Sequence, residues 1–193
     1  MPNSLKGQLL VATPEMGDDR FYETIIYLVS HNESGAMGLV INNPIEGMQF
    51  SDVLEQMNLG EPEELINIPN NIQSKEIFRG GPVDQGRGFV LHSSDRIFED
   101  STFQVDKKIC LTASSDILKS LAFGPAPKNS LLALGYCGWS SGQLEGELKQ
   151  NGWLITNYSD ELLFNIPISK RYDRALKQIG ATRASLSPVS GNA

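Results

Sequence analysis

The chain has 193 residues, 40% apolar and 20% charged, with a formal net charge of −7. Those values suit one soluble domain able to bury a core, and the acidic balance disfavours broad binding to a phosphate backbone. Two cysteines, Cys110 and Cys137, are too few and too far apart in sequence for a disulfide framework or a zinc knuckle, and read as small buried hydrophobes.

No basic start followed by an apolar stretch is present. The longest unbroken apolar run, Ile25 to Val29, is far short of the ~20 residues that span a bilayer. The expectation is a cytoplasmic protein.

Gly7 to Pro14 is a short apolar run stopped by proline, and reads as a first strand. Glu15 to Glu23 is acidic and turn-rich, with Asp18-Asp19 starting a helix or turn. Thr24 to His31 is the clearest strand, β-branched and aromatic throughout, and Asn32-Glu-Ser-Gly35 supplies turn chemistry before a hairpin partner over Ala36 to Pro44. Ser51 caps a predicted helix running through Asn58, with Gly60 as its stop. Residues 61–75 read as a surface loop.

Short strands follow at Glu76 to Arg79 and Gly88 to His92, separated by the glycine-rich Gly80 to Arg87, and a further pair is predicted over Phe103 to Val105 and Lys108 to Ala113. A helix spans Asp116 to Phe123 and is ended by Gly124-Pro125. Leu131 to Leu134 then gives a strand, Gly135, Gly138 and Gly142 a tight turn, and Leu144 with Leu148 a helix that Ser140 caps while Gln143 reaches back. Trp153 to Tyr158 is a short strand. The last helix, Ser169 to Ile179, has Tyr172, Ala175, Leu176 and Ile179 on one stripe and Lys170, Arg174 and Lys177 on the other face. Ser185 to Ala193 is small and polar and is expected to fray. Strands broken by isolated helices, without regular alternation, predict an α+β single domain over residues 1–193.

Five features are candidates for chemistry. Gly138-Trp-Ser-Ser-Gly142 matches the G-x-S-x-G nucleophile elbow, but the only histidines, His31 and His92, both precede the serine, whereas that fold places its base after it. The two histidines each close an apolar strand, so they are candidates for a base or for metal ligands, against a reading in which they hydrogen-bond turns. Arg79 to Gly88 can offer backbone N–H groups to an anion but lacks the Lys-Ser/Thr of a phosphate loop, and Asn42-Asn43-Pro44 is first a turn signal. Residues 169–183 hold five Lys or Arg against one Asp, a basic face that is either a contact surface or simply solvated.

Several stretches together resemble the AlgH/YqgE family of bacterial proteins. They are Gly7 to Pro14, Phe21 to His31, Gly35 to Asn42, Gly80-Gly-Pro-Val83, Gly88 to His92, Gly135-Tyr-Cys-Gly-Trp139, Gly142 to Leu148 and Trp153. The resemblance implies a curved, largely antiparallel, barrel-like sheet flanked by helices. In that family pattern the residues between Trp139 and Gly142 vary and a small residue is usual where Cys137 stands, which counts against Ser140 or Cys137 as a nucleophile. It implies no known activity. Some members carry the label of transcriptional regulator, read here as indirect because this acidic chain has no recognisable DNA-reading module.

The functional expectation is a non-enzymatic binding or regulatory protein without cofactor or metal, whose partner is a protein or small molecule and not nucleic acid or membrane. Its expected binding residues are His31, Asn42, Gly80, Gly81, Pro82, His92, Trp139, Gln143, Glu145 and Glu147, with Lys170, Arg174 and Lys177 as a partner surface. Two alternatives stand beside it. One is a hydrolase or metal-dependent enzyme using His31 or His92 with Glu145 or Glu147 as acid and base. The other is direct nucleic-acid binding through the basic C-terminal helix.

Overall fold

The computed structural model describes residues 4–186. In chain order its elements are β1 (Gln8–Ala12), a 3₁₀ turn (Asp19–Phe21), β2 (Ile25–Asn32), β3 (Gly35–Val40), α1 (Phe50–Gln56), α2 (Pro62–Leu65), α3 (Asn70–Gln73), β4 (Ile77–Arg79) and β5 (Val83–Ser93). There follow β6 (Thr102–Gln104), β7 (Ile109–Thr112), α4 (Ser115–Phe123), β8 (Ser130–Ser140), α5 (Gln143–Lys149), β9 (Trp153–Asn157), a π-helical turn (Glu161–Asn165), α6 (Ile168–Gln178) and α7 (Arg183–Leu186). Helices and strands intermingle without regular alternation, six strand pairs are antiparallel and β4 with β8 is parallel, so the α+β expectation holds. By their internal contacts the described residues fall into two compact units. One comprises the chain up to Asn42 together with the part from Gly138 onward, and the other is Asn43–Cys137.

The first unit is built on the strand order β9-β1-β2-β3. Ile25 to Val29 is buried at every position, which an antiparallel strand achieves only when both of its faces are covered. Helix α6 packs on β1 and β2, while α5 packs on β3 and β9. The link from β2 to β3 is two residues, Glu33-Ser34, tighter than the four-residue turn expected. Tyr172 donates its hydroxyl to the carbonyl of Ala12 at 2.6 Å, tying α6 to β1.

In the second unit β5 pairs with both β7 and β8, β6 extends the sheet from β7, and β4 lies parallel to β8 with Ile77 opposite Leu132. Phe50, Leu54, Ile72, Ile77, Val90, Ile117, Leu121 and Leu132 share one core.

Several local expectations are corrected. Residues 61–75 are not a loop, because α2 and α3 form there and Ile68 and Ile72 are buried. Helix α1 begins from Gln49, whose backbone N–H donates to Asp52 Oδ2 at 2.7 Å, while Ser51 is tied to Gln73 on α3. Val83 to Arg87 is the first half of β5 and not a turn, with Val83 opposite Tyr136. Strand β8 runs straight through Gly135 and Gly138 to Ser140, so the turn into α5 is confined to Ser141-Gly142, with Gly142 left-handed at φ 74°. Ser140 does not cap that helix. Its N–H and hydroxyl both donate to Gln143 Oε1, at 3.1 and 3.2 Å, so the reach-back by Gln143 is present without its reciprocal half. At the C-terminus Ser185 and Leu186 belong to α7, and the remainder of the segment expected to fray lies outside the described residues.

Candidate functional site

Four of the ten predicted binding residues, Trp139, Gln143, Glu145 and Glu147, stand on the corner where β8 passes into α5. Helical spacing puts Gln143 and Glu147 one turn apart. Gln143 Nε2 donates to Glu147 Oε1 at 3.1 Å, and Glu147 Oε2 accepts the indole N–H of Trp139 at 2.9 Å and of Trp153 at 2.7 Å. The two indoles meet edge to face, and Phe21 packs edge-on against Trp153. Both tryptophans are buried.

Glu145 lies on the same helix and meets His31 of β2. The N–H of Leu5 donates to His31 Nδ1 at 3.0 Å, so the ring proton sits on Nε2 and is donated to Glu145 Oε1 at 2.9 Å. The His31 side chain is 4% exposed and that of Glu145 34%. The Glu145 carboxyl is held below the usual carboxylate range, first by its own backbone N–H and then by the hydrogen bond from His31.

Asn42 is a clamp on the same unit. Its amide accepts from Ile25 N and donates to Glu23 O, both at 2.8 Å, which fixes Glu23 in the left-handed region.

The remaining candidates lie in the second unit. His92 is fully buried. Its Nδ1–H donates to Ser93 O at 2.9 Å and its Nε2 accepts from Thr112 Oγ1 at 2.8 Å, while Thr112 is bonded in turn to Thr102 at 2.7 Å. Burial pushes the imidazole pKa down, so the neutral ring is favoured. Gly80 and Gly81 are buried, and a Cβ on either would collide with the backbone of Gly135 or Tyr136, which makes them close-approach positions. Pro82 is exposed beside them. His31 and His92 therefore belong to different units and are each engaged within their own. Among the described residues no three His, Cys, Asp or Glu side chains gather as a metal would require.

The expected basic face of the last helix is smaller than its composition suggested. Arg171 is buried, its guanidinium donating to Ile41 O and, at 3.1 Å, to Ile166 O. Arg174 meets Glu161, and Arg183 pairs with Asp173 and Glu23. Lys170 and Lys177 are exposed. A signal for Arg171 was in the sequence, since it stands three residues after Ile168 and four before Ala175, on the apolar stripe.

One concavity was not anticipated. A groove of about 770 Å³ in the second unit is lined by α1, α2 and α3, with Glu55, Glu61, Ile66 and Gln73 among its residues. No predicted site residue lines it. No helix among the described residues is long and apolar enough to cross a membrane.

Comparison with known proteins agrees with this architecture. A UPF0301 protein of Bradyrhizobium diazoefficiens is 47% identical over 189 residues, covering 98% of this chain and 88% of the relative. One of Methylocella silvestris is 45% identical, covering 98% and 92%. The solution structure of the AlgH protein from Pseudomonas aeruginosa superposes with a TM-score of 0.80 at 40% identity, over 100% of this chain and 98% of that one. A Corynebacterium diphtheriae crystal structure shares the fold at TM-score 0.64 and 17% identity, over 89% of this chain and 85% of that one. The family profile described as AlgH-like matches residues 9–184, and the chain belongs to that family.

Proposed function

We propose that this protein is a non-enzymatic binding or regulatory module of the cytoplasm, and that any influence on transcription passes through a partner and not through DNA. The observation that carries the reading is the state of the two histidines. Each has both ring nitrogens committed, His31 to Leu5 N and Glu145, and His92 to Ser93 O and Thr112. A general base needs a nitrogen lone pair facing substrate. The lone pair of His31 points instead at a backbone N–H, and that of His92 is buried against a threonine.

The enzyme alternative has one observation in its favour, the 2.9 Å contact between His31 and Glu145. In that pair the histidine is the donor, so Glu145 orients the ring and Leu5 occupies the site where a proton would be taken. Direct nucleic-acid binding is disfavoured by the net charge of −7 and by the internal engagement of Arg171, Arg174 and Arg183.

The test is a panel of activated carboxylic and phosphoric esters incubated with the wild type, His31→Asn and His92→Asn. Equal background hydrolysis by all three is expected. Turnover by the wild type that either variant loses would overturn the reading.

A further inference from the structure

The groove between α1, α2 and α3 carries charge of a single sign. Between Arg20 and Lys75 the sequence contains no lysine or arginine, and residues 45–74 hold Glu46, Asp52, Glu55, Glu61, Glu63 and Glu64. Glu55, Glu61, Glu63 and Glu64 are exposed, and among the described residues none of them forms an ion pair. Lys75, the first cation after this stretch, turns inward with its ammonium 3.3 Å from Ser130 Oγ.

The groove also has an apolar component. Ile66 is 82% exposed although it follows Leu65, which packs on the core, and precedes buried Ile68. Ile66 is the most exposed of the large apolar side chains among the described residues, and it lies within the groove lining beside Leu65 and Ile68. Its surroundings are well held: Gln73 donates to Ser51 Oγ at 2.5 Å and to Gln49 Oε1 at 2.7 Å, fixing α3 against the start of α1. A fixed concavity with unneutralised carboxylates at its rim and one exposed aliphatic side chain selects an occupant that is cationic and carries an apolar anchor.

We infer that this groove docks a Lys/Arg-bearing segment of a partner protein, one apolar side chain of which covers Ile66. The inference rests on the binding reading above and supplies its surface and partner class. A small polyamine would satisfy the charge and leave Ile66 bare. A second copy of this chain could offer exposed cations such as Lys170 and Lys177, and becomes an outcome of the test.

The probe is a labelled synthetic amphipathic helix of Lys, Ala and Leu with the leucines on one face, titrated into the full chain at about 50 mM and about 150 mM salt. Saturable binding that weakens with salt is expected. The Glu55→Gln, Glu61→Gln double variant and Ile66→Ser should each weaken it about tenfold, as loss of two partly screened charge pairs or of one aliphatic contact implies. All three positions are exposed, so circular dichroism should be unchanged.

The inference is overturned if the peptide fails to bind, if Ile66→Ser binds as the wild type does, or if Glu76→Gln with Glu99→Gln, outside the groove, weakens binding equally. Self-association of the wild type that Ile66→Ser abolishes would overturn it in favour of a second copy. Failure of the peptide with the histidine variants unchanged in the ester panel sinks the groove alone, whereas histidine-dependent turnover sinks the binding reading.

Discussion

Trp139 and Trp153 donate to the same oxygen, Oε2 of Glu147, at 2.9 and 2.7 Å. Replacing Glu147 by Ala strands two largely buried indole N–H groups, and an unsatisfied buried donor costs about 1–3 kcal/mol. The expected loss is therefore about 2–5 kcal/mol in urea unfolding, with Glu147→Gln losing about 1 kcal/mol because an acceptor remains. These are the chain's two tryptophans, so their emission reports this cluster directly. A Glu147→Ala protein within about 0.5 kcal/mol of the wild type would refute the role assigned to the carboxylate.

His92 makes stability depend on pH in a defined window. Its folded pKa lies below the ordinary value because burial disfavours the imidazolium. The unfolded chain therefore binds the proton more readily, and the contribution is complete above an unfolded pKa of about 6.5, then is lost as pH falls toward the folded value. The slope in that window is at most about 1.4 kcal/mol per pH unit. Unfolding at successive pH values should show a steeper loss below neutrality for the wild type than for His92→Gln. Parallel curves would count against it.

The cations of α6 should separate by burial. Arg171→Ala leaves the carbonyls of Ile41 and Ile166 without their donor and is expected to cost about 3 kcal/mol. Lys170→Ala and Lys177→Ala, on the exposed side, should stay within about 0.5 kcal/mol. Equal effects at the three positions would show that the guanidinium is not the anchor of the helix.

Gly81 faces the backbone of Tyr136 so closely that a Cβ has no room. Gly81→Ala should cost about 3 kcal/mol, since strand backbones yield less than side chains do. Gly146→Ala meets nothing within 4 Å and should be neutral or stabilise α5 by up to about 1 kcal/mol. Thermal unfolding of the two variants side by side distinguishes a packing role from a general intolerance of glycine replacement.

How much of this was legible followed from how local the cause was. Strands β2 and β3 were readable because their β-branched run and turn residues lie within one stretch, and α6 because its period is intact over 11 residues. Helices α2 and α3 were not, since four residues each are too few to show a period and their order depends on Ile68 and Ile72 reaching a distant core. From sequence Gly135 reads as the first glycine of a tight turn, yet at φ 73° it sits inside β8 at an irregularity in the pairing with β5. The site behaved likewise. Gln143 and Glu147 share a helix face that spacing reveals, and Trp153, which uses it, stands only six residues beyond Glu147, but His31, the partner of Glu145 on the same helix, comes from a strand 114 residues away.

Strand β1 has β2 on one side and β9 on the other. The first neighbour is synthesised almost at once, and the second only after the whole of the other unit has left the ribosome. Until then the β1 edge, with Leu9, Leu10 and Val11 behind it, is an open template for foreign strands. The nascent chain thus spends most of its translation with its most apolar hairpin half-covered, and premature termination before Trp153 should yield an aggregation-prone fragment and not a smaller stable protein.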